Sequence, residues 1–451
     1  MRSTLSTFNE IWQQQFRFSF LKEAELRYSQ KNFLIGCSGG MDSMLLLHLM
    51  SLLFPKRVRA VYIDHQLQVP SASWGNLVNQ YCLQSQIPCS IMPVQIAQGN
   101  LEQQARYARY AAYKQIIAED EVLVLAHHQQ DQAETVILRL LSGAGVTGLS
   151  AMQGHDIRDD VLIWRPLLEM SRQQIEQWIL QLDIPYVIDP TNADQHYDRA
   201  WCRETLWPVL QQRFPQMQDA LARTALLMQD ANEILLDVAQ QDWRQCGNTE
   251  YLDLTRLATL SEARQRQLLS LWMKGESVYR PSLDAVQRLK IEVIESKADA
   301  KAMLFLKPFY FVRYQQKVYR LTAQQYLAEQ RHKPEEIQLL CSLDQHISVA
   351  SGMYQIERTS GMGLETTLLQ QSLRLQPRQG GEKIHLYGRV GTWPLKKAIQ
   401  EAQIFPWLRH QVQILLKDDV ILGVFTPQGF WLAQSPYCQL GGWQPKRIPE
   451  S

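Results

Sequence analysis

Residues 32–54 read Asn32-Phe-Leu-Ile-Gly-Cys-Ser-Gly-Gly-Met-Asp-Ser43, then Met44-Leu-Leu-Leu-His-Leu-Met-Ser-Leu-Leu-Phe54. A strand, a phosphate-sized loop and a helix follow one another without interruption. The apolar run 33–37 reads as a buried parallel strand, and Gly39 and Gly40 let the backbone turn tightly. A helix opening near Ser43 aims backbone N–H groups and its positive dipole end at an anion. Asp42 sits inside that anion site, where a carboxylate repels phosphate unless a divalent cation bridges the two. The loop is therefore read as a site for ATP with Mg²⁺. The common P-loop ending Gly-Lys-Ser/Thr is absent. A mere Gly-rich turn would have no use for Ser38, Asp42 and Ser43 together.

Outward from this stretch, short apolar runs alternate with helical patterns over the first 215 residues. Strands are expected at 32–38, 57–65, 89–96, 121–128 and 161–168. Helices are expected near 43–54, 73–86, 101–119, 131–141, 171–182 and 199–213. Such alternation predicts an α/β fold with a doubly wound, Rossmann-like parallel sheet, its ligands lying beyond the carboxyl ends of the strands. The loop at 38–43, Asp64-His65 and His127-His128 all fall at such ends. Residues 216–300 read as mainly helical, a strand pair is expected within 303–321, and 337–451 reads as a small α+β domain with one helix at 394–404. The expected domains are 1–215, 216–330 and 335–451.

The 451 residues carry 46 Lys and Arg against 45 Asp and Glu, a net charge of +1 that hides an asymmetry. Residues 1–250 hold 20 basic against 27 acidic side chains, a net of −7, and residues 251–451 hold 26 against 18, a net of +8. A basic C-terminal half suits a polyanion, and an acidic N-terminal half suits metal ions and a cationic substrate. Scatter over a solvated surface would give the same counts. The seven cysteines (37, 82, 89, 202, 246, 341 and 438) form no Cys-x-x-Cys pair, which argues against a zinc ribbon or a disulfide framework. No membrane span and no signal-peptide core is legible, so a cytoplasmic protein is expected.

Further clusters carry chemistry. Asp131 and Glu134 stand one helical turn apart near a helix start, where two acids can hold an ammonium and help it lose a proton, or simply cap the helix. Glu102 and Arg106 stand at an i,i+4 spacing among tyrosines, which alone would mark a surface ion pair. Arg199 and Arg203 project from one helix, suited to phosphate or to local pairing with Asp194 or Asp198. Lys307, Arg313, Lys317 and Arg320 interleave with Phe309, Tyr310, Phe311, Tyr314 and Tyr319. That pattern fits an RNA-gripping hairpin, or one that merely covers a helical core. In the last domain Arg378, Lys396 and Lys397 lie near glycines and a helix start, an arrangement that would fit an RNA end or stem.

The loop Ser38-Gly39-Gly40-Met41-Asp42-Ser43 resembles that of the PP-loop ATP pyrophosphatase superfamily. Its company narrows the resemblance: Asp64-His65, Glu102-Gln-Gln-Ala-Arg106-Tyr107-x-Arg109-Tyr110, His127-His128-x-x-Asp131-Gln-Ala-Glu134-Thr135, Arg165-Pro-Leu-Leu168, Asp189-Pro-Thr-Asn192, Arg378-x-Gly-Gly-Glu382, Lys396-Lys397 and Pro406-Trp-x-Arg409. Taken together these are similar to the tRNA(Ile)-lysidine synthetase family. The resemblance implies an ATP-dependent ligase that adenylates the C2 oxygen of the wobble cytidine of isoleucine tRNA with a CAU anticodon. The ε-amino group of free L-lysine then displaces AMP. It further implies ATP and Mg²⁺ at Ser38, Gly39, Gly40, Met41, Asp42, Ser43 and Asp64, with Asp42 on the metal. Arg106 joins Asp42 as catalytic, Asp131 and Glu134 receive lysine, and Arg199, Arg203, Arg378, Lys396, Lys397 and Arg409 contact tRNA. A homodimer is compatible with this reading.

Two positions depart from the family pattern: Gln130 where an acid is usual, and Ala200 where an asparagine is usual. The rival within the superfamily is a tRNA thiolase, for which Cys37 is the one cysteine near the site. A non-catalytic RNA-binding protein would release no pyrophosphate. A glutamine-dependent amidotransferase is disfavoured by Arg2 at the position that would need cysteine.

Overall fold

The computed structural model describes residues 7–66, 71–98, 101–190, 194–275, 277, 280–297, 302–328 and 334–449. The chain divides into two units, Met1–Val238 and Ala239–Ser451. The helix Met217–Cys246 runs across that division, and the expected boundary at 215/216 falls just before it.

In the first unit the strands are β1 (Asn32–Gly36), β2 (Val58–Asp64), β3 (Cys89–Pro93), β4 (Glu121–Val124), β5 (His155–Arg158) and β6 (Val161–Trp164), in the sheet order β3-β2-β1-β4-β6-β5. All neighbours are parallel except β5 and β6. β1 is flanked by β2 on one side, with Phe33 opposite Val58, and by β4 on the other, with Phe33 opposite Val122. Because the chain moves outward from β1 to β3 and then restarts at β4, the crevice at the carboxyl ends of β1 and β4 is the topological switch point where such sheets bind ligands. Phe33, Leu34 and Ile35 are wholly buried, as a strand covered on both faces requires. The parallel order confirms the doubly wound reading.

Besides the short helix Val146–Leu149, two elements of the first unit escape the sequence pattern. The helix Ile11–Tyr28 precedes the sheet and buries Phe20, Ala24 and Tyr28, while Phe8, Trp12 and Phe16 meet the edges of Trp178. Strand β5 forms an antiparallel edge, tied to that helix where Tyr28 Oη meets His155 Nδ1 at 2.7 Å and Glu23 meets His155 Nε2. No helix among the described residues is long and apolar enough to cross a membrane.

In the second unit the expected strand pair is a four-stranded antiparallel sheet, Tyr251–Asp253, Lys317–Thr322, Phe309–Tyr314 and Met303–Leu306 in spatial order. It packs on the helices Glu262–Lys274 and Leu283–Arg288 through Leu268, Leu269, Trp272, Val286 and Phe311. The hairpin thus covers a helical core, as one of its two readings expects. Arg313 donates to Ile294 O at 2.8 Å, Lys317 lies 3.9 Å over Tyr251, and Arg320 donates to Trp272 O and lies over Phe309. The C-terminal part holds two five-stranded antiparallel sheets around Tyr354, Phe425 and Trp443. Its helix is Leu395–Glu401, shorter than the expected 394–404.

Candidate active site

The loop leaving β1 is held by its own hydroxyls. Ser43 Oγ accepts from Ser38 N–H at 3.2 Å and donates to Gly40 O at 2.9 Å. Gly39 adopts φ +82°, a left-handed conformation that side chains rarely take, and its carbonyl accepts from Val187 N–H at 2.9 Å. The helix Met41–Leu53 starts from this turn.

Above it lies a cavity of about 400 Å³. Ser38, Gly40, Asp42 and Ser43 form its floor, and Arg106, Arg109, His65, His127 and Asp189 line its walls. Gly39 shapes the turn, and the Met41 side chain packs into the core, so neither offers the cavity a side chain. Asp64 ends β2, but its carboxylate accepts from Gln66 N–H and the next residue, His65, takes the wall. Thr191 and Asn192 of the Asp189 motif lie outside the described residues.

Asp42 Oδ1 is buried and has no hydrogen-bond partner among the described residues. Burial raises the Asp42 carboxyl above its ordinary range, His128 partly opposing. An orphaned anionic oxygen beside a phosphate-sized loop fits a hard cation, and one carboxylate plus substrate phosphates is how Mg²⁺ is commonly held.

His128 links this loop to the helix Gln129–Leu141. Its Nδ1 accepts from Gln130 N–H at 3.2 Å, so the neutral ring carries its proton on Nε2. Nε2 lies 3.8 Å from Asp42 Oδ1 and 3.6 Å from Asp131 Oδ2. Asp131 also accepts from His128 N–H at 3.0 Å. Burial pushes the Asp131 carboxyl up, but His128, His127 and Arg199 outweigh it and leave the carboxyl below its ordinary range.

Arg203 does not project to solvent or pair with Asp194 or Asp198. Its Nε and Nη2 form a fork on Glu134 at 2.8 and 2.9 Å, and it stands 3.8 Å from Asp131. Arg199 donates to Thr135 Oγ1 at 3.2 Å. Both arginines thus face the acidic helix, a placement that their spacing alone did not indicate.

Two cations, Arg106 and Arg109, line the cavity. The Arg106 guanidinium stands 5.2 Å from the centre of the Tyr110 ring, and that of Arg158 of β5 stands 3.9 Å from it. Burial, with Arg158, Arg199 and Arg109 nearby, lowers the pKa of Arg106. Burial also pushes His65 down to about 4 and His127 down to about 3, so both rings are neutral at physiological pH. Their positions at strand ends marked them in the sequence; Arg158 carried no signal, because β5 did not. Cys37 is buried, and burial pushes its thiol up to about 11, a poor state for sulfur transfer.

In the C-terminal part the expected RNA-contacting cations differ. Lys396 and Lys397 are exposed. Arg378 stands 3.7 Å from Glu382, and Arg409 donates to Ile404 O at 3.0 Å.

Fold and loop define the protein as an ATP-using PP-loop enzyme, and the family model described as a PP-loop domain matches residues 10–210. Models for a TilS substrate binding domain and a TilS substrate C-terminal domain match residues 252–319 and 373–441. The tRNA(Ile)-lysidine synthase of Acinetobacter baylyi is 59% identical over 450 residues, covering 100% of this chain and 98% of its own. That of Serratia proteamaculans is 34% identical over 420 residues, covering 89% and 94%. The chain belongs to the tRNA(Ile)-lysidine synthase family. It is a ligase, and the thiolase alternative is not favoured.

Proposed function

We propose that the cavity binds ATP with its phosphates on the 38–43 loop and that it activates the C2 oxygen of the wobble cytidine of isoleucine tRNA with a CAU anticodon. The cytidine oxygen attacks the α-phosphorus, the bond to the β-phosphate breaks, and pyrophosphate leaves. The uncharged ε-amine of L-lysine then attacks C2, and AMP departs with the oxygen while the amine loses its proton. Mg²⁺ held by Asp42 would neutralise phosphate charge during the first step. Arg106 and Arg109, which line the cavity, supply fixed positive charge, which favours a pentacovalent phosphorus and the leaving pyrophosphate.

Asp131 and Glu134 form the acidic side of the pocket that receives the amine, Asp131 facing it and Glu134 buried behind. The observation that supports this reading is the succession Asp42, His128 and Asp131, in which one imidazole nitrogen lies 3.8 Å from the loop carboxylate and 3.6 Å from the helix carboxylate. Lys396 and Lys397 serve tRNA binding away from the reacting base.

The reading is tested by incubating the protein with radiolabelled lysine, ATP and isoleucine tRNA. Label should become acid-precipitable and survive mild base, which would cleave an aminoacyl ester. Asp42→Ala should abolish AMP formation while leaving tRNA binding nearly intact. Normal turnover of that variant at ordinary Mg²⁺ would refute the metal assignment.

A further inference from the structure

The two acids of the amine pocket are not equivalent. The Asp131 side chain keeps 15% of its surface open and Glu134 keeps none. Both oxygens of Glu134 are already engaged. Oε1 accepts from Arg203 Nε at 2.8 Å and from Gln130 Nε2 at 3.1 Å, and Oε2 accepts from Arg203 Nη2 at 2.9 Å. Gln130 is itself buried, and it sits one helical turn before Glu134 on the same helix.

Three donors hold the carboxylate. The Arg203 fork fixes its plane, and the Gln130 amide satisfies a further lone pair on Oε1. An acid at position 130, the residue type the family pattern leads one to expect, would set two carboxyl groups against each other at hydrogen-bond distance, and one would have to take up a proton. An amide of the same shape removes that conflict and adds a bond.

We propose that Gln130 is a positioning residue: with Arg203 it holds Glu134 as a neutralised wall of the amine pocket, so that Asp131 alone faces the incoming amine. This rests on the assignment of Asp131 and Glu134 to lysine made above. The groups that face Glu134 are Arg203 and Cys202 from the helical segment 202–206 and Gln130 from its own helix, while Asp131 lies 3.8 Å from the same guanidinium. A carboxylate introduced at 130 therefore meets Glu134 and draws on the one guanidinium that both would share.

The full-length enzyme is assayed for incorporation of radiolabelled lysine into isoleucine tRNA, with lysine and ATP varied independently, from about pH 6 to about pH 8.5. Gln130→Glu should raise the lysine KM roughly ten- to hundredfold at the alkaline end, the factor expected when a charged group loses a hydrogen bond. The ATP KM should stay within about twofold, because the phosphate loop is untouched. Activity should recover toward the acid end, since a protonated carboxyl matches the amide in shape and can donate. Gln130→Met, which removes the donor without adding charge, should give a smaller rise in lysine KM that does not vary with pH. A residue that merely filled space would move both KM values together and show no acid recovery, and that result would overturn the proposal. Wild-type lysine KM values in both variants would overturn it as well. Wild-type turnover that ignores lysine would instead refute the functional reading itself.

Discussion

Replacing Arg203 by alanine is the sharpest test of how this site is held together. The substitution strips Glu134 of both fork bonds and leaves one bond, from Gln130, on a carboxylate with no exposed surface. Removing one partner of a buried ion pair costs about 3–5 kcal/mol, because the remaining charge is uncompensated. The lower end applies here: the Gln130 bond survives, and the 22% exposure of the Arg203 side chain shows that water can reach the gap. About 3 kcal/mol in a unit the size of Met1–Val238 corresponds to a fall in Tm of roughly 6–12 °C. Thermal and denaturant unfolding, followed by circular dichroism and by fluorescence of the buried Trp164 and Trp178, should show that loss. Adding Glu134→Gln to Arg203→Ala removes the stranded charge and should restore most of the stability, whereas Glu134→Gln alone should cost less than Arg203→Ala. A change below about 1 kcal/mol in Arg203→Ala, or a double variant no better than the single, would refute the claim that the fork neutralises a buried charge.

Asp131→Asn should raise the lysine KM far more than the ATP KM in steady-state assays, because the amide cannot neutralise an ammonium; an unchanged lysine dependence would remove Asp131 from the pocket. Replacing Lys396 and Lys397 together with alanine should weaken binding of isoleucine tRNA and flatten its salt dependence by up to about two counterions, read by filter binding across a salt series. Stability of the first unit should fall as pH drops from about 6.5 toward about 4. His65 and His127 are neutral when folded and are held to about 4 and about 3, so between those values and the ordinary imidazole value the unfolded chain binds more protons. The lowered Asp131 carboxyl acts in the same direction: its contribution is present above the unfolded pKa and is lost as pH falls through the folded one. Denaturant titrations over this range should show the slope, and His65→Gln with His127→Gln should reduce it.

Much of the first unit was legible because its signals are local. An apolar run, two glycines and a helix start within twelve residues dictate strand, turn and anion site, and β-α alternation dictates a parallel sheet with its ligands at one edge. His65 and His127 inherit their place in the cavity from that rule alone. The helix Ile11–Tyr28 was not legible, since its polar glutamines mask an apolar stripe whose partner, Trp178, lies far along the chain. Strand β5, His-Asp-Ile-Arg, has no apolar alternation and exists because β6 offers it an edge. The hairpin at 309–322 is the reverse case: its basic and aromatic pattern suits RNA or a core equally, and only the folded chain shows Phe311 packed on Trp272 and Arg313 and Arg320 bonded to the carbonyls of Ile294 and Trp272.

The sequence by itself determined which residue types meet ATP and an amine, because covalent spacing along one strand end or one helical turn brings them together. Tertiary structure alone decided which of them remain available. Arg203 and Glu134 are 69 residues apart, and neither carries a local mark of the other. Once folded, they cancel each other's charge inside the protein, whereas Asp131 and Asp42, joined across His128, keep part of their surface open. That selection depends on which oxygens are buried and bonded, a property of three-dimensional packing that no spacing along the chain encodes.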